Sequence, residues 1–192
     1  MPLTRRNLLL GAPCALALAR PAATRAQAPA TVPPPELRSE WPDAVPAQPQ
    51  GRARMRFLGL TVYDIGLWAP AAVSADGFDR QPLALEIVYR RSLRGEHIAE
   101  RSLDEMKRAG AAIDEGTASR WLAQMKRLFP DVADGDRITG VQQPGQSARF
   151  HVNGRFAGEL RDARFAPLFF GIWLAPWTSE PQLRRQLLGA AS

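Results

Sequence analysis

Ala148-Arg149-Phe150-His151-Val152-Asn153-Gly154-Arg155-Phe156-Ala157-Gly158-Glu159-Leu160 is the stretch that decides the fold. Ala148, Phe150 and Val152 alternate with other residues, the period of a strand with one buried face. Asn153-Gly154 follows at once, and Phe156 to Leu160 supplies a second strand. Both central positions of a two-residue type I′ turn need φ > 0, which Asn and Gly accept, so the pair predicts an antiparallel hairpin. Upstream, Pro144-Gly145 marks another turn and Arg137-Ile138-Thr139-Gly140-Val141 another strand, extending the hairpin into a meander.

Two helical patterns precede the meander. Residues 96–109 place Ala99, Leu103 and Met106 on one face, and residues 115–129 carry a clearer stripe of Ala118, Trp121, Leu122, Met125, Leu128 and Phe129. Before them, alternating apolar positions predict strands at about 52–60 and 61–69, with Gly59 at a bulge or bend, and a third at 84–89. After the meander, Phe165, Leu168, Phe169, Ile172 and Trp173 mark a very apolar helix starting near 166, with Asp162 as an early cap. That helix is either buried on both sides or walls an apolar pocket. Ser179-Glu180-Pro181-Gln182 has the pattern of a capping box opening a last helix that stops at Gly189. Strands and helices in blocks predict an α+β fold, an antiparallel β-sheet packed on a helical layer.

The beginning of the chain has a different character. Thr4-Arg5-Arg6-Asn7 is a basic segment, followed by an apolar run to Ala19 that is too short to span a bilayer. Small residues follow, and cleavage is expected after Ala26, with Thr24 at the other small-residue position. The paired arginines, the basic residues Arg20 and Arg25, and a proline within the run favour twin-arginine export over the general route. Pro13 before Cys14 argues against a lipidation site. Residues 1–26 are therefore expected to be a signal peptide and the protein periplasmic. Residues 27–50, with seven prolines, are expected to form an extended leader, with a short edge segment near Leu37–Trp41 at most. The folded domain is expected over 51–189, with no transmembrane segment in the mature chain.

Loss of residues 1–26 removes four arginines and no acidic residue, lowering the formal charge from +6 to +2. With no basic face or aromatic-interleaved basic run, no nucleic-acid partner is expected. Cys14 leaves with the signal, which excludes thiol catalysis and thiolate metal sites. The two histidines, His97 and His151, have no ligand-spaced companions, so neither a metal site nor a Ser-His-Asp triad is expected, and both rings are read as solvent-facing. No glycine-rich phosphate loop follows a strand, and no cofactor is expected. Asp104-Glu105 point about 100° apart on a helix and are read as a solvated face.

Tyr63, Trp68 and Tyr89 are the polar-tipped aromatics of otherwise apolar strands. They are either core side chains satisfied by backbone or the polar handles of a ligand cleft. Arg54, Arg56, Arg90 and Arg91 lie at strand ends, as an anion clamp or as surface charge.

The residues Val62-Tyr63-Asp64-Ile65-Gly66-Leu67-Trp68, Ala99-Glu100-Arg101-Ser102-Leu103-Asp104-Glu105-Met106 and Phe129-Pro130-Asp131-Val132 with Gly135-Asp136 occur here in a telling order. Beyond them come Phe150-His151-Val152-Asn153-Gly154, Phe169-Phe170-Gly171-Ile172-Trp173-Leu174 and Thr178-Ser179-Glu180-Pro181. Together they resemble the chalcone isomerase-like proteins, in their exported bacterial branch, over about Gly51 to Gly189. The resemblance implies an open-faced β-sandwich with a ligand cleft between sheet and helices. Plant enzymes of the superfamily cyclise chalcones with an arginine and Thr, Tyr and Asn donors. On this chain the threonine falls at or near Tyr63, the helix tyrosine near Ile98, the asparagine near Glu105 and the late Ser/Thr near Ala166, while Arg54 keeps an arginine. Ile98 and Ala166 donate no hydrogen bond and Glu105 repels an anion, so the cyclisation is not expected to carry over.

Three functions follow from the sequence. The first is a non-catalytic periplasmic protein that binds a small apolar or amphipathic acid, with Arg54, Tyr63, Tyr89 and Trp68 as candidate ligand-binding residues. The second is an isomerase or intramolecular lyase acting on an unsaturated carbonyl compound. The third is an envelope interaction protein without a small-molecule ligand.

Overall fold

Asn153 and Gly154 adopt φ of 49° and 82°, closing the hairpin between β5 (Ser147–Val152) and β6 (Arg155–Leu160). The Asn153 carboxamide oxygen also accepts from the Arg137 N–H at 2.8 Å, tying the turn to the start of β4 (Arg137–Gln143). In this computed structural model, which describes residues 32–42, 47–110 and 112–189, β4–β6 are half of a six-stranded sheet. The other half is β1 (Gln48–Phe57), β2 (Leu60–Ala69) and β3 (Leu83–Tyr89), and the strands lie in sequence order with every neighbour antiparallel. The expected export signal, residues 1–26, lies outside the described residues.

Between β3 and β4 the chain forms helices α2 (Gly95–Lys107) and α3 (Glu115–Leu128), and after β6 come α4 (Phe165–Leu174) and α5 (Pro181–Leu187). Asp114 caps α3 by accepting from the Thr117 N–H at 2.8 Å, satisfying one of the first-turn donors that a helix leaves unpaired. The capping box expected at Ser179 is replaced. Glu180 precedes the helix, and its N–H donates to the Thr178 hydroxyl at 3.0 Å.

The period-2 rule sorts the strands into two faces. Ile65, Leu67, Leu85, Ile87, Ile138, Phe150 and Leu160 turn toward the helices and form the main core with Met106, Trp121, Met125, Phe165 and Phe170. In α4, eight of ten residues are buried, so little of that helix is left for solvent.

The sheet's other face carries a cover that corrects the extended leader. Residues Leu37–Glu40 form a one-turn helix, α1, and strand β1 begins at Gln48 rather than after residue 50. The proline content does not forbid either. Pro34 and Pro35 precede the turn and only accept, from the Leu37 and Arg38 N–H groups, and proline is tolerated where an N–H would be unpaired anyway. Pro49 lies on an edge strand beside a register shift, the place a sheet accepts proline. Leu37 packs on Trp68, Ala84 and Val141 as a second, smaller core.

Ion pairs hold this cover down. The Glu36 carboxylate accepts from the Thr139 hydroxyl at 2.6 Å and from Arg137 at 3.1 Å. Glu40 lies 2.8 Å from His151 Nε2 and 3.3 Å from Arg149 Nε. His151 is therefore buried rather than solvent-facing, because its partner comes from a segment 111 positions away.

Candidate functional site

Strand parity places Met55, Tyr63, Ile87 and Tyr89 on the helix-facing side near the end of the sheet where the β1–β2 hairpin turns. In that region the helices leave a cavity of about 450 Å³, within the roughly 300–1,000 Å³ of small-ligand sites. Helix α2 supplies one wall through Ile98, Arg101, Ser102 and Glu105, positions i, i+3, i+4 and i+7 of a single helix face. Helix α4 supplies Phe169, Ile172 and Trp173, so the apolar helix is both core and pocket wall. Phe57, Arg91, Leu93 and His97 also line the cavity.

Ser179 and Glu180, just before α5, add polar groups to the lining. The Trp173 indole N–H donates to the Tyr63 hydroxyl at 3.0 Å, and the Tyr63 and Tyr89 rings meet edge-on with centroids 6.3 Å apart. Burial pushes the Tyr63 phenol up to about 12, against the opposing effect of the Trp173 bond, and pushes Tyr89 up as well. Both hydroxyls are therefore neutral donors at physiological pH, each with a proton to offer a carboxylate or carbonyl oxygen. Arg101 reaches Glu105 at 2.6 Å, and Arg108 approaches the other carboxylate oxygen at 3.4 Å. Arg91 is exposed and makes no ion pair with another described residue. The site is an apolar cleft with two phenols inside it, Tyr89 buried and Tyr63 partly so, and with two guanidinium groups and two carboxylates among its lining.

These two are the chain's only tyrosines, so phenolate absorbance reads this cleft alone. Their folded values lie above the unfolded one, so the stability they carry is complete below about pH 10 and is lost as pH rises through the folded values. An alkaline titration of the folded protein is expected to show little phenolate at pH ~10, where both tyrosines are half-ionised in denaturant. Half-ionisation of either tyrosine near 10 in the folded protein would mean the cleft is wet.

Tyr63 and Tyr89 line the cleft together. Arg54 and Trp68 do not, and this corrects their place among the candidates. Arg54 alternates with Met55 and points to the opposite face, where it pairs with Asp64 at 2.5 Å and, with Arg90, holds that carboxyl below its usual range. Trp68 alternates with Leu67, packs under Leu37 and donates to Glu86 at 3.2 Å. Of the four strand-end arginines, Arg91 is the one that lines the cavity; it lies in the bend that follows β3, two residues after Tyr89.

Glu105 is buried, not part of a solvated face, because α2 turns it toward the sheet. The spacing of Ile98, Arg101, Ser102 and Glu105 was the available signal for this wall. Of the positions laid over the plant enzymes' donors, Tyr63, Ile98 and Glu105 line the cavity, whereas Ala166 lies in the core and Arg54 on the far face. Among the described residues there is no cluster of His, Cys, Asp and Glu that would hold a metal ion, and no helix is long and apolar enough to cross a membrane.

Three comparisons bear on this architecture. The model of the chalcone isomerase-like family matches residues 41–189. An uncharacterised protein of Haemophilus influenzae is 30% identical over 142 residues, covering 74% of this chain and 68% of its own. The crystal structure of a fatty-acid binding protein of Arabidopsis thaliana superposes with a TM-score of 0.57 at 13% identity, covering 76% of this chain and 89% of that one. At that identity the likeness is one of fold.

Proposed function

The chain belongs to the chalcone isomerase-like family, and we propose that this member binds a small amphipathic acid without transforming it. The observation that carries the reading is the cleft itself, about 450 Å³ of largely apolar wall with two neutral phenols, and with Arg91 left without an ion-pair partner among the described residues while Arg101 is paired with Glu105. A tail in such a cleft gains roughly 0.8 kcal/mol per buried methylene. Eight methylenes then contribute about 6 kcal/mol, comparable with the lower part of the roughly 4–15 kcal/mol cost of association. The tail drives binding, and the Tyr63 and Tyr89 hydroxyls with Arg91 orient the head. Ile98 and Glu105, where the cyclising enzymes need donors, support a role without catalysis. The Arabidopsis neighbour, a fatty-acid binding protein, supports the ligand class. The basic start and short apolar run of residues 1–19 support export to the periplasm.

Native mass spectrometry of protein recovered from the periplasm, before and after denaturation, tests this reading. A released monocarboxylic acid is expected. With stripped protein, Arg91→Ala is expected to weaken a medium-chain fatty acid about five- to thirtyfold, as for one charge-assisted hydrogen bond at a partly solvated site, and to leave the matching alcohol unchanged. A clean apo mass together with no affinity for either compound would overturn the reading.

A further inference from the structure

The turn between β1 and β2 repeats the φ pair of the turn between β5 and β6 with an ill-suited residue in it. Leu58 and Gly59 adopt φ of 49° and 81°, against 49° and 82° for Asn153 and Gly154. A left-handed φ crowds the Cβ of an L-residue, and Asn, Asp and Gly are the residues that tolerate it at this turn position. Leu58 gains no packing in exchange, being 86% exposed, with Phe57 and Leu60 beside it at 61% and 58%. The fold thus carries a strained leucine at a projecting tip where it contributes nothing to the core.

The surroundings of the tip are cationic. From Ala53 to Asp64 and from Val88 to Arg91 the chain has four arginines and one carboxylate, Asp64, which Arg54 and Arg90 already occupy. Arg56 and Arg91 are exposed and make no ion pair with other described residues. The tip also adjoins the cleft, because Phe57 at its base lines the cavity.

We propose that the β1–β2 hairpin tip docks on an anionic lipid surface, with Leu58 and Leu60 entering the interface and Arg56 meeting the lipid head groups. An apolar point ringed by cations is complementary to such a surface. A four-residue convex tip offers far less than the ~800 Å² per partner of a stable protein interface. Docking by this tip would bring the mouth of the cleft to the bilayer. The docking itself goes beyond the ligand reading and is measured without any ligand, so either can fail alone.

The test is co-sedimentation of the purified protein and single-site variants with phosphatidylcholine vesicles, with and without phosphatidylglycerol. Leu58 and Arg56 are outside the cavity lining, so their variants leave ligand affinity unchanged. Leu58→Asn is expected to bind the anionic vesicles at least tenfold more weakly while unfolding no earlier than the parent, since Asn suits the turn. Arg56→Gln is expected to cost about fivefold, with a shallower dependence on salt. Equal binding by parent and Leu58→Asn, or no binding by either, would overturn the proposal. So would a concentration-dependent dimer that Leu58→Asn dissolves, because the tip would then be a protein contact.

Discussion

Glu36→Ala is expected to lower the unfolding free energy by about 3 kcal/mol, a large share of the roughly 5–15 kcal/mol that holds a domain of this size together. The Glu36 side chain is 1% exposed, and it joins two groups of the sheet's outer face: the hydroxyl of Thr139, itself fully buried, and the guanidinium of Arg137. Truncating it under an intact cover leaves Thr139 without its partner and Arg137 facing a dry surface. The loss belongs at the lower end of the ~3–5 kcal/mol range for breaking a buried pair. Arg137 is 25% exposed and keeps Glu86 within 3.7 Å.

Leu37→Ala removes the side chain that covers Trp68, Ala84 and Val141 and is expected to cost about 2–3 kcal/mol. Urea unfolding with an unchanged m-value reads both variants. Shifts under about 1 kcal/mol for both would mean that residues 36–40 lie on the sheet without holding it. The same measurement separates a structural cover from a dispensable leader, since a leader would tolerate either change.

Why this cover escaped the sequence, while the β5–β6 hairpin did not, comes down to the range of the deciding interactions. Asn153-Gly154 specifies its turn with two residues, and α3 announces itself through a stripe six residues strong. The cover depends on partners about a hundred positions away, Glu36 with Thr139 and Glu40 with His151. No local pattern carries that information, and the prolines pointed the other way. The same cause put His151 on the wrong side of the surface, whereas Glu105, whose partners Arg101 and Arg108 are on its own helix, turns inward because that face of α2 packs toward the sheet.

At the β1–β2 turn the sequence offers only Gly59, as a bulge or bend between adjoining strands, because Leu58 is not a residue that type I′ geometry selects. The candidate site was partly legible. Tyr63 and Tyr89 were singled out by chemistry and lie together, facing one another across β2 and β3. Arg54 and Trp68 were singled out by chemistry as well, but parity sends them away: Trp68 falls five positions from Tyr63, an odd offset, and Arg54 pairs across the ladder with Asp64. A strand's alternation was sufficient to separate the two faces once the register was known.

The start of α2, the helix that carries the cleft's polar wall, lies against the backbone that follows α3, which makes Gly95→Ala the most damaging small change expected at the site. Gly95 donates its N–H to the Asp131 carboxylate at 2.8 Å, and the flanking pair Leu93 and Val132 exchange backbone hydrogen bonds at 3.0 and 2.9 Å. This brings the helix start so close to the end of α3 that an added Cβ would strike the backbone of Phe129 and Pro130. Backbone on that side, already committed to the Leu93–Val132 bridge, has nowhere to move, so α2 must tip away from it. Ile98, Arg101, Ser102 and Glu105 tip with it.

The expected cost is on the order of 3 kcal/mol or more, the upper part of what overpacking a core produces. Affinity for a medium-chain fatty acid should fall even under conditions where the variant remains folded. Gly110→Ala supplies the comparison. Its φ of +68° makes alanine strained, but a Cβ there meets nothing within 4 Å, so about 1 kcal/mol of stability is expected to go while binding stays. If the two variants lose stability equally, the close approach at Gly95 is not what positions α2. If Gly95→Ala retains full affinity while destabilised, the wall formed by α2 does not hold the ligand, and the cleft's selectivity must reside in the tyrosines and α4.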